Sequence, residues 1–184
     1  MNMNLQEYDR RRRRTRQALL SAFGELATER RFDEIRVADI IDRAEVARST
    51  FYEHYRNKSE LLAEATSGLF GVMADAVWKT DRGALEYILA HFWENRRLAA
   101  ALLTGAPARS LNRMLSEAIE ERMGRHLAVK PASARRLIAV QIAGGQLALL
   151  RSWLNGETVC TVGDLAGTIS RTSSAAAGHG GWNT

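Results

Sequence analysis

Hydrophobic residues recur every three or four positions along most of the chain, which is the spacing of the buried face of an α-helix. The first long stripe covers residues 19–27, and we expect it to pack against the back of a small helical unit. Further stripes follow around residues 85–93, 111–123 and 133–155. Only two prolines interrupt the chain, and Ala, Leu, Arg and Glu are abundant, so helix is favoured nearly throughout. The pattern predicts an all-α protein.

Two short amphipathic runs, residues 37–44 and 48–55, are separated by only three residues, 45–47. This spacing is typical of a helix-turn-helix, in which the second helix enters the DNA major groove. In the second run Phe51 and Tyr55 lie one turn apart, so this helix also has an inner face. Its outer face carries polar groups that can form hydrogen bonds, namely Arg48, Ser49, Tyr52, Glu53 and His54.

The segment RSTFYEHYRNKSELL, residues 48–62, follows VADIIDRAEVA and an amphipathic helix further upstream. Together they resemble the DNA-binding domain of TetR-family transcriptional regulators. The resemblance is detailed over residues 12–62; beyond them it depends on length, helical character and a looser similarity near the C-terminus. It implies an N-terminal three-helix helix-turn-helix DNA-binding domain followed by a larger helical ligand-binding and dimerisation domain. We place these domains at residues 10–57 and 58–172, with a flexible leader at 1–9 and a flexible tail at 173–184.

Composition narrows the choice of function. The formal net charge of +5 suits a polyanionic partner such as DNA. The single cysteine, Cys160, excludes an internal disulfide and leaves no thiol cluster for zinc. We expect a cytoplasmic protein, because the charged N-terminus lacks the apolar segment of a signal peptide and no window reaches about 18 uninterrupted apolar residues. The sequence contains no nucleophile elbow, no phosphate loop and no metal-ligand spacing. We therefore expect that the protein is not an enzyme and uses no cofactor.

Five residues are predicted to hold the DNA backbone. The resemblance assigns Thr50, Tyr52, His54 and Lys58 to this role, and hydroxyl groups and cations are good partners for phosphate. Arg36 stands where the family often has a threonine that caps the helix beginning near Val37 and touches a phosphate. Arginine cannot accept amide hydrogen bonds, so we expect a weaker cap, but its cation can still reach a phosphate.

Arg48 and Ser49 are the predicted readers of base edges, because they stand at the start of the recognition helix. An arginine there can donate two hydrogen bonds to guanine. Glu53 can accept from cytosine or can equally be a solvated residue that repels phosphate. The arginine run at residues 10–14, continued by Arg16, is either a solvated charge run or a set of salt-dependent phosphate contacts.

Local signals also predict the ends of several helices. The first helix is expected from about residue 11 to residue 30. Asn57 followed by Glu60, and Thr161 followed by Asp164, have the spacing of capping boxes. Glu45 occupies the turn position where many relatives have Gly or Asn, residues that adopt a left-handed conformation more cheaply.

The resemblance further implies an effector pocket among the middle helices. Aromatic and methionine side chains there suit an apolar or aromatic ligand. For each of them, an ordinary place in a helical core is the alternative. The candidates are Trp78, Tyr87, His91, Phe92, Met114 and Met123.

The apolar helix predicted at residues 133–155 is the best candidate for self-association. Gly144 and Gly145 permit close helix approach, and with the final helix it resembles the paired helices of the family's four-helix dimer interfaces. An ordinary buried central helix is the alternative. The candidate interface residues are Ile138, Ile142, Gly145, Leu149 and Trp153.

These features predict a ligand-responsive DNA-binding transcriptional regulator. We expect a repressor that binds a palindromic operator as a homodimer and is released by a small apolar or aromatic effector. The alternative is an effector-independent DNA-binding protein with a chromosome-organising or division-linked role.

Overall fold

The computed structural model describes residues 3–79, 82–126 and 131–179. Within these ranges the chain forms nine α-helices, one π-helical turn and no β-strand, which confirms the predicted all-α fold. In chain order the helices are α1 (Met3–Glu29), α2 (Val37–Arg43), α3 (Arg48–His54), α4 (Lys58–Asp75), α5 (Gly83–Glu94), α6 (Arg96–Leu102), α7 (Gly105–His126), α8 (Ala132–Leu154) and α9 (Val162–Ser174). The π-helical turn, Ala175–His179, follows α9 directly.

The chain divides into two compact units, Met1–Ala65 and Thr66–Thr184. We call the first the head and the second the body. The head contains α1, α2, α3 and the start of α4, and the body contains the rest of α4 and α5 to α9.

The core of the head is built from one apolar stripe per helix. The stripe predicted for α1 is buried in full and consists of Leu19, Ala22, Phe23, Leu26 and Ala27. The helices that pack on it contribute Ile40, Ile41, Phe51, Leu61 and Leu62. The rings of Phe23 and Phe32 meet edge to face with centroids 6.1 Å apart, which joins the loop after α1 to this core. Burial of each large side chain stabilises the head by about 1.5–3 kcal/mol before entropy is counted.

Helix α1 begins at Met3, so it includes most of the segment that we expected to be a flexible leader. No glycine or proline occurs before Gly24, and most residues of this stretch are good helix formers. Contacts one turn apart support the helix. The Arg12 guanidinium lies over the Tyr8 ring at 5.8 Å, and Arg13 Nε donates to the backbone carbonyl of Asp9 at 3.4 Å.

The turn between α2 and α3 contains a strained residue, as its sequence predicted. Glu45 has φ = 53° and is the only non-glycine residue of the described chain with a positive φ. The left-handed conformation costs roughly 1–2 kcal/mol for a residue with a side chain. The backbone N–H of Glu45 donates to the Asp42 carbonyl at 3.2 Å, and that of Val46 donates to the Ile41 carbonyl at 3.2 Å, so hydrogen bonds hold the turn in place.

Side chains cap α4 and α9 close to the predicted positions. Asn57 Oδ1 accepts from the N–H groups of Ser59 and Glu60 at 2.9 and 3.0 Å. Thr161 Oγ1 accepts from the Asp164 N–H at 3.1 Å, and Asp164 accepts from the Thr161 N–H at 3.3 Å, which completes a capping box.

The start of α2 is weakly capped, as the sequence predicted. The Arg36 side chain makes no capping hydrogen bond, but the Arg36 backbone N–H donates to Asp39 Oδ2 at 2.8 Å. Asp39 therefore supports the start of this helix from its first turn.

Helices α7 and α8 pack together along the centre of the body. Gln146 of α8 is buried and donates through Nε2 to the Met73 carbonyl at 3.2 Å and to Ser173 Oγ at 3.0 Å. Arg122 of α7 pairs with Asp75 at the end of α4. By length and composition alone α8 could cross a membrane, but one side of it is buried in this core, as in the central helix of a folded body.

The described part of the predicted tail, residues 173–179, contacts the rest of the body. We expected the chain to fray from residue 173, yet Ser173 and Ala177 are buried. The Ser174 hydroxyl donates to the Val77 carbonyl at 2.7 Å and the Ser170 hydroxyl to the Ala76 carbonyl at 3.3 Å. These carbonyls follow the last turn of α4, so the serines satisfy acceptors that the helix leaves free.

Replacing Glu45 by glycine should stabilise the protein by about 1 kcal/mol, because glycine adopts a positive φ without the Cβ penalty. Chemical denaturation of wild type and variant measures the difference. The matched control is Ala44→Gly, one residue earlier, where φ is −82° and glycine should destabilise by about 0.5–1 kcal/mol. Equal effects of the two substitutions would show that Glu45 is not strained.

Candidate DNA-binding surface

The inner face of the recognition helix α3 is locked into the head. Phe51 is fully buried and Tyr55, just beyond the helix, is 4% exposed. Their ring centroids lie 5.9 Å apart. Because these two side chains fix the rotation of α3, the remaining positions face outwards. Arg48, Ser49, Tyr52 and Glu53 are exposed, and Thr50 and His54 are half-buried.

Arg48 and Tyr52 form a pair on the exposed face of α3. The Arg48 guanidinium lies 5.5 Å from the Tyr52 ring centroid, one helical turn away. Such a cation–π contact is worth about 0.5–1 kcal/mol at an exposed site and limits the conformations of both side chains. Both polar ends remain available for hydrogen bonds to DNA.

Arg36 lies at the start of α2 with its side chain 82% exposed. Its only ion pair within the described chain is with Asp39, at 3.8 Å, which is too long to immobilise the guanidinium. Its position therefore agrees with the predicted phosphate contact.

The structure places Lys58 differently from the other predicted contacts. Its ammonium donates to the backbone carbonyls of Phe32 and Ile35 at 2.6 and 2.8 Å and lies 3.4 Å from that of Asp33. It also sits 4.4 Å from the Phe32 ring centroid. Burial lowers the pKa of Lys58, and the charge of Asp33 opposes this shift. Lys58 therefore holds the loop between α1 and α2 in this structure, with its donors used inside the head.

A polar cleft of about 610 Å³ opens beside the end of α3. We call it the basic cleft and define it by its lining residues, Asp9, Arg12, Arg13, Arg16, His54, Tyr55 and Glu64. Arg16 pairs with Glu64 inside it. The sequence indicated the arginine run and His54 as separate features, but it did not indicate that they line one cleft. The spacing of residues 12, 13 and 16 on one side of a helix was the available signal.

Positive charge dominates the electrostatics of the basic cleft around His54. Burial lowers the pKa of the His54 imidazole, and Arg12 and Arg16 lower it further, while the carboxylates of Glu53 and Glu64 oppose the shift. His54 is therefore a neutral hydrogen-bonding group at neutral pH.

Tyr55 brings a hydroxyl into the same cleft. Burial, followed by the negative charge of Glu64, raises the pKa of Tyr55 to about 12, so the hydroxyl keeps its proton. The hydroxyl is buried beside the ion pair of Arg16 and Glu64, and hydrogen bonding to these two side chains also affects its pKa.

The predicted effector residues do not converge on one of the described cavities. Tyr87 is 75% exposed and His91 is also exposed, because Leu85 and Leu89 turn the opposite side of α5 into the core. Met123 is fully buried in the body core. The remaining candidates, Trp78, Phe92 and Met114, are half-buried.

The predicted interface residues divide into two groups. Ile142, Gly145 and Leu149 line an open, mainly apolar groove of about 500 Å³ on α8 and α9. Trp153 is instead 4% exposed, with its ring 4.7 Å from that of Trp93 and its Nε1 donating to the Cys160 carbonyl at 3.2 Å. Trp153 therefore belongs to the core of the body, because its position on α8 faces α5. Ile138 is half-buried outside this groove.

A short recognition helix that is anchored from behind and polar in front, preceded by a tight turn and a supporting helix, defines a helix-turn-helix DNA-binding protein. Residues 19–65 match the family described as bacterial regulatory proteins, tetR family. The HTH-type transcriptional regulator YxbF of Bacillus subtilis strain 168 is 44% identical over 57 residues, which are 30% of this chain. The matched part is 15% of the length of YxbF.

Solved structures resemble the chain over nearly its whole length. A TetR transcriptional regulator from Streptococcus agalactiae 2603V is 26% identical, with a TM-score of 0.60 over 92% of this chain and 98% of that one. A putative TetR-family regulator from Syntrophomonas wolfei str. Goettingen shows the same fold at 16% identity, with a TM-score of 0.58 and the same coverage. Residues 19–65 thus form a DNA-binding domain of the TetR family, and the solved structures that resemble the chain over nearly its whole length are TetR-family regulators.

Replacing Lys58 by methionine should lower the stability of the head by about 1–3 kcal/mol, because backbone carbonyls lose a charged donor. The dependence of DNA affinity on salt should stay unchanged, since no phosphate contact is removed. Arg36→Met is the comparison, because Arg36 is a predicted phosphate contact, and it should reduce the slope of log K against log salt by about 1. Thermal melts and anisotropy titrations measure the two effects. If Lys58→Met instead reduced the salt slope and left the melting temperature unchanged, Lys58 would be a phosphate contact.

Proposed function

We propose that this protein is a homodimeric, ligand-responsive transcriptional repressor that binds a palindromic operator. The observation that carries the proposal is the recognition helix, whose buried Phe51 and Tyr55 leave Arg48, Ser49 and Tyr52 exposed on one surface. Two such helices related by a two-fold axis can enter successive major grooves about 34–36 Å apart.

Within this proposal, some residues of the head contact base edges and others contact phosphates. Arg48 and Ser49 read base edges, and the stacking of Arg48 on Tyr52 directs its guanidinium along the helix surface. Thr50, Tyr52 and His54 contact phosphates, which position the helix without reading sequence. Arg36 adds a phosphate contact from α2.

The groove on α8 and α9 supports the proposed dimer. Its walls include Gly145, Ala148 and Leu149, so a second copy can approach closely and cover apolar surface. Leu137 and Val140, elsewhere on α8, are 72% and 43% exposed and would gain from burial in a larger interface. We omit Trp153 from the interface because the protomer already buries it.

The effector part of the proposal rests on family resemblance. An apolar or aromatic ligand bound between the middle helices would release the protein from DNA only if it binds the two states with different affinity. Phe92 and Met114 are half-buried and are the residues we assign to such a site. An effector-independent role in chromosome organisation or division is the alternative. A genome-wide binding map distinguishes the two, since a local repressor occupies few sites and an organising protein many.

Arg48→Ala should weaken binding to an operator selected from random duplexes by about tenfold to hundredfold and relax preference at one base pair per half-site. A bidentate arginine–guanine contact discriminates by about 1–3 kcal/mol. Fluorescence anisotropy at several salt concentrations provides the measurement. Arg97→Ala, an exposed arginine of the body, is the matched control and should leave affinity unchanged. The absence of any sequence-selective, salt-sensitive complex with wild-type protein would refute the proposed function.

Ala148→Glu should shift the protein from dimer to monomer, because it places a charge in the apolar groove. Sedimentation velocity measures the shift, and operator affinity should fall with it. The control is Ala101→Glu on α6, because Ala101 is also exposed but lies outside the groove. If both variants remain dimeric, the interface lies elsewhere on the body.

A further inference from the structure

A charged cleft also opens on the body, between helices α7 and α8. Its volume is about 380 Å³, and we call it the arginine cleft. The polar residues that line it are Arg109, Asn112, Arg113 and Ser116 of α7 and Arg136 of α8. No carboxylate of the described residues lines it, whereas two carboxylates stand among the arginines of the basic cleft in the head. The lining of the arginine cleft is therefore positively charged throughout.

Two of these guanidinium groups are not used by the fold of the body. Arg109 and Arg113 lie one helical turn apart on α7, and both are exposed. Within the described chain neither side chain forms a hydrogen bond or an ion pair. Arg136 differs, since its guanidinium pairs with Glu120 at 3.0 Å. Like charges one turn apart destabilise a helix slightly, so folding gives no reason for the pair of arginines.

The Asn112 amide is an independent sign that the arginine cleft binds an acceptor. Ser116 is 1% exposed, and its hydroxyl donates to the Asn112 backbone carbonyl at 2.7 Å and to Asn112 Oδ1 at 3.3 Å. The buried serine thus fixes the amide oxygen. Asn112 Nδ2 donates no hydrogen bond among the described residues, and the residue of α8 that faces it is Gly144, which has no side chain to cover it. Its N–H groups are therefore available between the two arginines.

The chemistry of these donors selects the ligand. Guanidinium groups bind carboxylate and phosphate through paired N–H donors, and the Asn112 amide adds further N–H groups. An apolar or cationic ligand would leave all of these donors without an acceptor. The volume of the cleft lies within the range of small-molecule sites. The ligand that fits is therefore a small molecule with an oxyanion group.

We propose that the arginine cleft is a small-molecule site in which Arg109, Arg113 and the Asn112 amide hold an oxyanion. Arg136 remains paired with Glu120 and supplies the positive wall on α8. The oxyanion is a phosphate or a carboxylate, because both present two oxygens to a guanidinium group. This ligand differs in class from the apolar or aromatic effector proposed above, and the site does not depend on the proposed repressor function.

Isothermal titration calorimetry on the full chain, without DNA, tests the site. The probes are inorganic pyrophosphate and, separately, citrate, at constant ionic strength. We expect at least one of them to bind the wild type. Arg109→Gln with Arg113→Gln should weaken that binding by about tenfold or more, because hydrogen bonds to a charged group are lost. The melting temperature should stay the same or rise, since the repulsion between the two arginines is removed.

Two double variants are the matched controls. Arg97→Gln with Arg151→Gln removes the same charge from exposed positions of the body outside the arginine cleft. Arg12→Gln with Arg13→Gln removes it from the basic cleft of the head. Both should leave the binding of the probe unchanged.

Asn112→Asp separates a built site from a general attraction of anions. The aspartate has nearly the shape of asparagine but places a carboxylate between the two arginines, so binding should be abolished. The melting temperature of this variant shows that the fold is retained. Binding that survives the substitution would place the anion elsewhere.

Binding of pyrophosphate alone identifies a phosphate site, binding of citrate alone a carboxylate site, and binding of both the shared oxyanion chemistry. If neither probe binds, the proposal is wrong. It is also wrong if a control variant loses as much affinity as Arg109→Gln with Arg113→Gln, since net charge would then explain the attraction. Because no DNA is present, failure of the proposed repressor function would leave these results unchanged.

Discussion

The packing of Phe51 and Tyr55 against the core of the head is the contact on which the recognition surface depends. Helix α3 has only seven residues, too few to persist through its own hydrogen bonds. No side chain caps its first turn. The two buried rings therefore supply the orientation that the short helix cannot maintain alone. Every exposed group of α3 owes its direction to them.

Several basic residues of the head are bound to other groups of the head, so fewer positive charges are free to contact DNA than the sequence contains. Arg43 is held by Glu29 in a two-pronged ion pair at 3.0 Å and by Glu25 at 3.2 Å. Arg16 is paired with Glu64, and Lys58 is bound to backbone carbonyls. These cations join segments of the head to one another. In the proposed complex, contact with DNA is left to exposed cations, among them Arg36 and Arg48. Basic composition alone thus says little about which residues touch DNA.

Helix α8 contributes one side to the core of the body and another side to the apolar groove. One side is buried and includes Gln146, whose amide ties it to α4 and α9. Another side carries Gly145 and Ala148 and borders the apolar groove. The sequence of such an apolar helix does not show which side is buried and which side borders the groove, since both sides contain small and aliphatic residues. The helix was correctly predicted from its pattern, but the assignment of Trp153 to the interface was not supported by its burial.

Periodicity along the chain was enough to predict the helices, the inner stripe of α1, the helix-turn-helix and the strained turn at Glu45, because each depends on residues within a few positions of one another. The partners of Lys58 and Arg16 could not be predicted in this way. Lys58 bonds to carbonyls 23 to 26 positions away, and Arg16 pairs with Glu64 across 48 positions. Long flexible side chains can reach many acceptors, and only the packing of the head brings one set of acceptors within reach. The exposure of Tyr87 and His91 has the same origin, since helical rotation is set by the neighbours that α5 packs on. Local pattern thus determined which segments are helical, and packing determined which polar groups remain free to bind.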